Sequence, residues 1–307
     1  MPRASKVQCQ SLATVVAALS LTGCGRPAPA LTRLPAPMAP SDSRPLDDTE
    51  LYFFAGEDMT WKIYFLGMEA GRARLAVGRP ETNRSGQRIL GVVVEAEAAG
   101  VSRMVVEARD DVRSWIDVES GTPIRTESSF LLEMPLKRVN KRLDVKSERS
   151  GTALIAVLDV YEHDSPPRRR RQRLPSWRTH DPLSALLLLR GWSPAAGTRA
   201  LLYTLGGARV WQTEVAVDGH EVVEGPLGAR SAVRVSGTSR RLTYSTLKVD
   251  GSHKPRTFTM WISDDRERVP LRVVAGTEYG DVEIVATSYS APVTALRASA
   301  APTGPCS

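Results

Sequence analysis

Apolar and polar positions alternate with a period of two along most of the chain. Trp61, Ile63 and Phe65 alternate with Lys62 and Tyr64, and Ala73, Leu75 and Val77 follow Arg72 and Arg74. Val210, Gln212 and Glu214 oppose Trp211, Thr213 and Val215, and Val282 and Ile284 flank Glu283. Successive side chains of a strand point to opposite faces, so this pattern predicts half-buried strands. Gly206-Gly207, Asp218-Gly219, Asp250-Gly251 and Tyr279-Gly280-Asp281 punctuate the runs. Such dipeptides tolerate the positive dihedrals of tight hairpins, and sequential hairpins imply antiparallel pairing.

One segment departs from this period. Asp181-Pro182-Leu183-Ser184-Ala185-Leu186-Leu187-Leu188-Leu189-Arg190 predicts a helix over 181–191. Asp181 suits an N-cap, and Pro182 sits where a missing N–H costs nothing. Leucine covers so much of its circumference that the helix must be buried nearly all round. The expected fold is therefore mostly β, a curved, half-barrel-like antiparallel sheet with one buried apolar helix against its concave face. Before the helix, residues 163–180 hold prolines and a run of Arg168, Arg169, Arg170 and Arg171, with Arg173 and Arg178. This predicts a basic loop dividing strands at 58–161 from strands at 198–290.

The N-terminus has a different texture. Arg3 and Lys6 precede an apolar run, Leu12–Leu21, too short to span a bilayer. Leu21-Thr22-Gly23-Cys24 follows and resembles the lipobox of bacterial lipoproteins. That resemblance implies a signal peptide over 1–23, an acylated (palmitate-bearing) Cys24 and a chain that leaves the cytoplasm. Gly25 in place of Asp then implies an outer membrane, facing the periplasm. Pro27, Pro29, Pro35, Pro37, Pro40 and Pro45 exclude helix and central strand, so 24–48 reads as a stiff tether. The domain is expected over 49–290, with a small-residue tail over 291–307.

Composition narrows the function classes. Of 307 residues 42% are hydrophobic, enough for a sizeable core, and 41 Lys and Arg against 34 Asp and Glu give a formal charge of +7. Export would remove nucleic acid as a partner, and the basic run lacks the interleaved aromatics that single strands need. The arginines 168–171 are candidates for contact with anionic lipid headgroups; the competing reading is a solvated insertion. The cysteines are Cys9, Cys24 and Cys306. Once Cys9 leaves with the leader and Cys24 carries lipid, Cys306 has no partner for an intramolecular disulfide.

No catalytic constellation is legible. Ser184 lacks the G-x-S-x-G context of a strained nucleophile turn. His163, His180, His220 and His253 are scattered and read as surface residues without metal-ligand spacing. Asp264-Asp265 reads as a solvated connection between strands. The expectation is a non-enzyme without metal or cofactor. The aromatics Trp61, Tyr64, Phe65, Trp115, Trp192, Trp211 and Trp261 read mainly as core.

Three stretches resemble a family of bacterial envelope proteins known only as domain of unknown function 3108. They are Gly56-Glu57 with Trp61–Gly67 and Ala70-Gly71; Asp181–Leu186 through Leu189-Arg190 to Gly197; and Phe258, Trp261–Asp265, Val269–Arg272 and Gly280. The resemblance implies a secreted, β-rich protein without a recognised catalytic centre. It leaves two readings. In one, the protein binds an apolar or lipid-like ligand between sheet and helix, through Leu183, Leu186, Leu187, Trp61 and Phe65. In the other, it is a structural or assembly factor acting through contacts with envelope proteins.

Overall fold

A computed structural model of the chain describes residues 46, 49–104, 106–134, 139–150, 153–162, 166–175, 179–207, 209–243, 247–277 and 280–292. The leader, Cys24, nearly all of the proline-rich segment, His163 and the tail beyond 292 lie outside them.

Among the described residues, sixteen strands and one α-helix form in chain order. They are β1 (Asp58–Phe65), β2 (Met68–Val77), β3 (Glu81–Thr82), β4 (Arg88–Ala98), β5 (Glu107–Asp117), β6 (Pro123–Met134), β7 (Val139–Ser150), β8 (Ala153–Glu162), β9 (Arg168–Pro175), β10 (Thr179–His180), α1 (Pro182–Gly191), β11 (Arg199–Gly206), β12 (Arg209–Val223), β13 (Arg230–Arg241), β14 (Arg256–Ser263), β15 (Pro270–Thr277) and β16 (Gly280–Ser290). All belong to one sheet, ordered β10-β11-β12-β13-β14-β15-β16-β1-β2-β4-β5-β6-β7-β8-β9, with β3 beside β4. The molecule is thus mostly β, as the alternation predicts. Among the described residues no ladder joins β9 to β10, so the sheet is not closed into a barrel.

The first and last strands pair in mid-sheet, Asp58 opposite Ser290 and Phe65 opposite Val282. That pairing joins a run of hairpins from β1 to β9 to a second run from β11 to β16.

Three expectations need correction. The sheet is mixed, because β10 and β11 run parallel, Thr179 opposite Tyr203. The helix between them returns the chain to the same end, which is what a parallel pair requires. Arg168–Pro175 is a strand and not a loop: β9 pairs with β8, Val160 opposite Arg168. Backbone ladders need no apolar side chains, and a charged strand suits a sheet edge. Asp218-Gly219 is not a hairpin turn. It forms a bulge within the 15-residue β12, where the register with β13 shifts between Val217 and Gly219.

The core lies on the face that meets α1. Leu183 and Leu187 share one buried cluster with Ile63, Leu75, Val92, Val112 and Ile284. Ala185, Leu188 and Leu189 share another with Leu46, Leu202, Val215, Val235 and Ile262. A helix with leucine on every side is accommodated because both sides meet sheet residues.

Candidate functional site

The helix is set locally by its first turn. Asp181 Oδ1 accepts from the amides of Leu183 at 3.0 Å and Ser184 at 2.8 Å, and the Asp181 amide donates to Ser184 Oγ at 3.1 Å. This reciprocal box satisfies amides that a helix start leaves unpaired. It also occupies the hydroxyl of Ser184, which is fully buried.

An apolar cavity of about 100 Å³ lies between α1 and the sheet. Leu183, Leu186 and Leu189 line its helix side, and Trp61, Phe258, Met260 and Val273 line its sheet side. The Trp61 indole N–H donates to the Pro270 carbonyl at 2.9 Å, so the ring presents only its apolar surface. Phe258 lies opposite Gly237, where a Cβ would collide with its ring. Of the residues singled out from sequence, Leu183, Leu186 and Trp61 meet at this cavity. Leu187 is buried in the core, and Phe65 packs on the edge of that core away from the cavity wall. Leu189 was legible as the next position three residues after Leu186. Phe258, Met260 and Val273 were not, because only strand register brings them to Trp61.

Polar groups gather at the start of α1. Asp181 Oδ2 accepts from Ser114 Oγ and from Thr126 Oγ1 at 2.6 Å. Beside them Asp110 is 3% exposed, and among the described residues its Oδ2 has no hydrogen-bond partner. Burial, helped by the adjacent Asp111, pushes its carboxyl up to about 7. Asp110, Thr126, Ser128, Ser147 and Pro182 border a cavity of about 30 Å³, room for about one water.

At the other end of α1, Arg190 and Glu57 are both fully buried and pair at 2.5 and 2.9 Å. Arg190 also donates to the carbonyls of Arg268 and Glu267, each at 2.9 Å. Arg268 donates in return to the carbonyls of Arg190 at 2.8 Å and Trp192 at 3.0 Å. Its burial holds its pKa below the usual arginine range. Tyr289 donates to Glu57 at 3.4 Å, and burial next to Glu57 raises the phenol. The expected solvation of the Asp264–Pro270 connection thus fails at Arg268, which α1 covers.

The remaining candidates are dispersed. In β9, Arg169 pairs with Asp159 at 2.8 Å and Arg168 with Glu162 at 3.1 Å, while Arg170 and Arg171 are exposed. His180 is buried in β10, contrary to the surface reading; strand pairing with β11 places it under α1. His220 is half-exposed 3.4 Å from Asp264, and His253 lies 2.9 Å from Ser252 Oγ. Trp211 and Trp192 are core, whereas Trp115 and Trp261 lie under Arg125 and Arg272. Among the described residues, no three His, Cys, Asp or Glu side chains group as a metal site.

The family model described as protein of unknown function DUF3108 matches residues 58–287, three-quarters of the chain. The chain belongs to this family. None of the curated proteins compared matches it. Among solved structures, it is similar to a beta-barrel-like protein of the domain of unknown function DUF1849 from Brucella abortus, at 10% identity and a TM-score of 0.49, over 78% of this chain and 99% of that one. It is also similar to a candidate exported protein with a YmcC-like fold from Bacteroides fragilis (9% identity, TM-score 0.29, 79% and 99% covered). A candidate lipoprotein from Parabacteroides distasonis gives 9% identity and a TM-score of 0.30, with 78% and 99% covered. Within this DUF3108 chain, the three stretches that carry the family resemblance converge. Glu57 comes from the first, Arg190 from the second, and Glu267 and Arg268 lie between Asp265 and Val269 of the third. Their meeting point is the buried ion pair that fixes the end of α1.

Proposed function

We propose that this protein is a lipid-anchored component of the cell envelope that holds an apolar, acyl-chain-like ligand between α1 and the sheet, without catalysing a reaction. The observation that carries this reading is the apolar cavity along Leu183, Leu186 and Leu189. In this reading the sheet curls round the helix, and the spread of the helix's neighbours supports that. α1 shares clusters with β5 and with β11, nine places apart in the strand order. Laid flat at ~4.8 Å per strand they would be about 43 Å apart, far wider than a helix of about 10–12 Å. The anchor is an acyl chain on Cys24, and the membrane is the outer one, seen from the periplasm. Arg170 and Arg171 add an electrostatic attraction to anionic headgroups, screened beyond about 8 Å at physiological salt.

The test is native mass spectrometry of protein extracted from its own membrane. The expected spectrum carries one lipid-sized adduct beyond the mass of the acylated N-terminus. After delipidation, a fluorescent fatty acid should bind saturably at one site. A bare protein that also fails to bind the probe would overturn the ligand reading and leave a structural role in the envelope.

A further inference from the structure

Strand register assigns every connection to one of two ends of the sheet. Phe65 lies opposite both Val282 and Met68, Gly71 opposite Ala98, Thr277 opposite Gly280, and Ser239 opposite Arg256. The β1–β2, β4–β5, β13–β14 and β15–β16 connections therefore share one end. Glu57, the β12–β13 tip and the β14–β15 connection occupy the opposite end.

Exposed apolar side chains are distributed unevenly between these ends. Among the described residues seven large hydrophobics are exposed: Leu66, Met68, Met104, Tyr161, Leu201, Val222 and Val249. All but Leu201 and Val222 lie at the first end. The β1–β2 turn is the most telling of them. Leu66 and Gly67 both have positive φ, 50° and 77°, as a two-residue hairpin turn requires. Asn or Gly takes that conformation easily, whereas leucine is strained there. Leu66 is nevertheless 68% exposed, with Met68 at 57% beside it and Met104 at 83% on the adjacent 3₁₀ turn. Strained backbone and solvated hydrocarbon are both costs, and among the described residues Leu66 gains little in return beyond its approach to Gly280.

The apolar cavity opens toward the same end. Of its lining residues, Arg256 and Phe258, in phase with the buried Met260, are only half-buried at the start of β14. We propose that this end, with Leu66, Met68 and Met104, seats in the lipid bilayer so that the cavity mouth faces the membrane. The purpose of this docking rests on the ligand reading above; its geometry does not.

The N-terminal attachment is compatible with that orientation. Leu46 packs with Leu188, Leu189 and Trp192, toward the opposite end, so the chain from Cys24 must reach past the whole sheet. The sheet is about 40 Å tall, taking the 12 residues of β7 at ~3.3 Å each. The 22 residue steps from Cys24 to Leu46 span up to about 70 Å, which is sufficient.

The test uses the full chain, held in phosphatidylcholine vesicles by its own lipid. Fluorophores are placed through Leu66→Cys or Val222→Cys, each with Cys306→Ser, and quenched by doxyl-labelled lipid. The label at 66 should be quenched at least threefold more than the label at 222, and 0.5 M salt should not change this. Equal or reversed quenching overturns the docking. So does a label at 66 shielded from aqueous iodide yet untouched by doxyl lipid, the signature of a second copy covering the turn. A Leu66→Asp, Met68→Asp, Met104→Asp variant should keep its melting temperature and its affinity for the fatty-acid probe, but deliver the probe to vesicles at least tenfold more slowly. Quenching at 66 in a protein that binds no probe leaves the docking standing and removes only the ligand reading. Probe binding without quenching does the reverse.

Discussion

Asp110 is the least comfortable residue in the fold. It sits on β5 beneath the start of α1, with a carboxylate oxygen that no donor among the described residues reaches. The hydroxyls of Ser114 and Thr126, its natural partners, are committed to Asp181. An unpaired buried charge is costly, so the group keeps its proton to about pH 7. In the unfolded chain an aspartate ionises near pH 4. Between these values the folded state holds a proton that the unfolded state has lost. Stability should therefore fall as pH rises from about 4 to about 7, and stay level above, a loss on the order of a few kcal/mol. Asp110→Asn keeps the shape and cannot ionise. Urea unfolding at pH 5 and pH 8 should give the wild type a lower midpoint at pH 8, and the Asn variant nearly equal midpoints. The same pH slope in both proteins would mean that Asp110 is not the group responsible. The alternation puts Asp110 in phase with Ala108, Val112 and Ile116 and Asp111 in phase with Arg109 and Arg113, so its inward face was legible; the commitment of Ser114 and Thr126 to Asp181 was not.

At the scale of elements, legibility followed locality. The helix and its cap could be read because Asp181, Pro182 and Ser184 act within four residues of one another. The strands could be read because their alternation is local too. The β9 strand was hidden by its arginines, since a strand at a sheet edge is held by backbone bonds and carries no apolar face to recognise. The Arg190–Glu57 lock was hidden by distance, as its members are 133 residues apart. Its energetics follow from burial. A wholly buried pair stabilises little against apolar replacements, but removal of one partner strands the other charge and costs about 3–5 kcal/mol. Glu57→Gln and Arg190→Met should each destabilise by roughly that amount in denaturant unfolding. The double variant should lose clearly less than the sum of the two. Arg190→Lys should fail to rescue, because one ammonium cannot reach Glu57 and two carbonyls in the planar geometry of a guanidinium. Simple additivity of the single losses would mean that the pair is not coupled, and that α1 is held by its leucines alone.

At the scale of the molecule, the described residues form a single sheet whose first and last strands meet in its middle, with one short helix packed on it. The β1–β16 seam joins residues more than 200 apart, so neither half is complete until the chain is. Such non-local pairing makes slow folding the expectation. The topology could not be read from sequence, because alternation says which residues face inward but not which strands are neighbours. A packed interior of this kind normally leaves few voids, which makes the gap beside Leu186 informative. If the gap is only imperfect packing, filling it should stabilise the protein at no cost. If it is a ligand site, filling it should stabilise the empty protein and remove the ligand. Ala275→Val separates the two. Ala275 lines the cavity and faces Phe258 across the ladder, and a β-branched residue suits a strand. Its two added carbons occupy part of the 100 Å³ void without exceeding it. Each buried CH₂ contributes about 0.8 kcal/mol, so the variant should gain on the order of 1 kcal/mol and melt a few degrees higher. It should at the same time bind the fatty-acid probe at least tenfold more weakly. A rise in melting temperature with unchanged probe affinity would place any bound chain elsewhere. A fall in melting temperature would mean that the space beside Phe258 is already closed, and that the wall between α1 and β15 is structural.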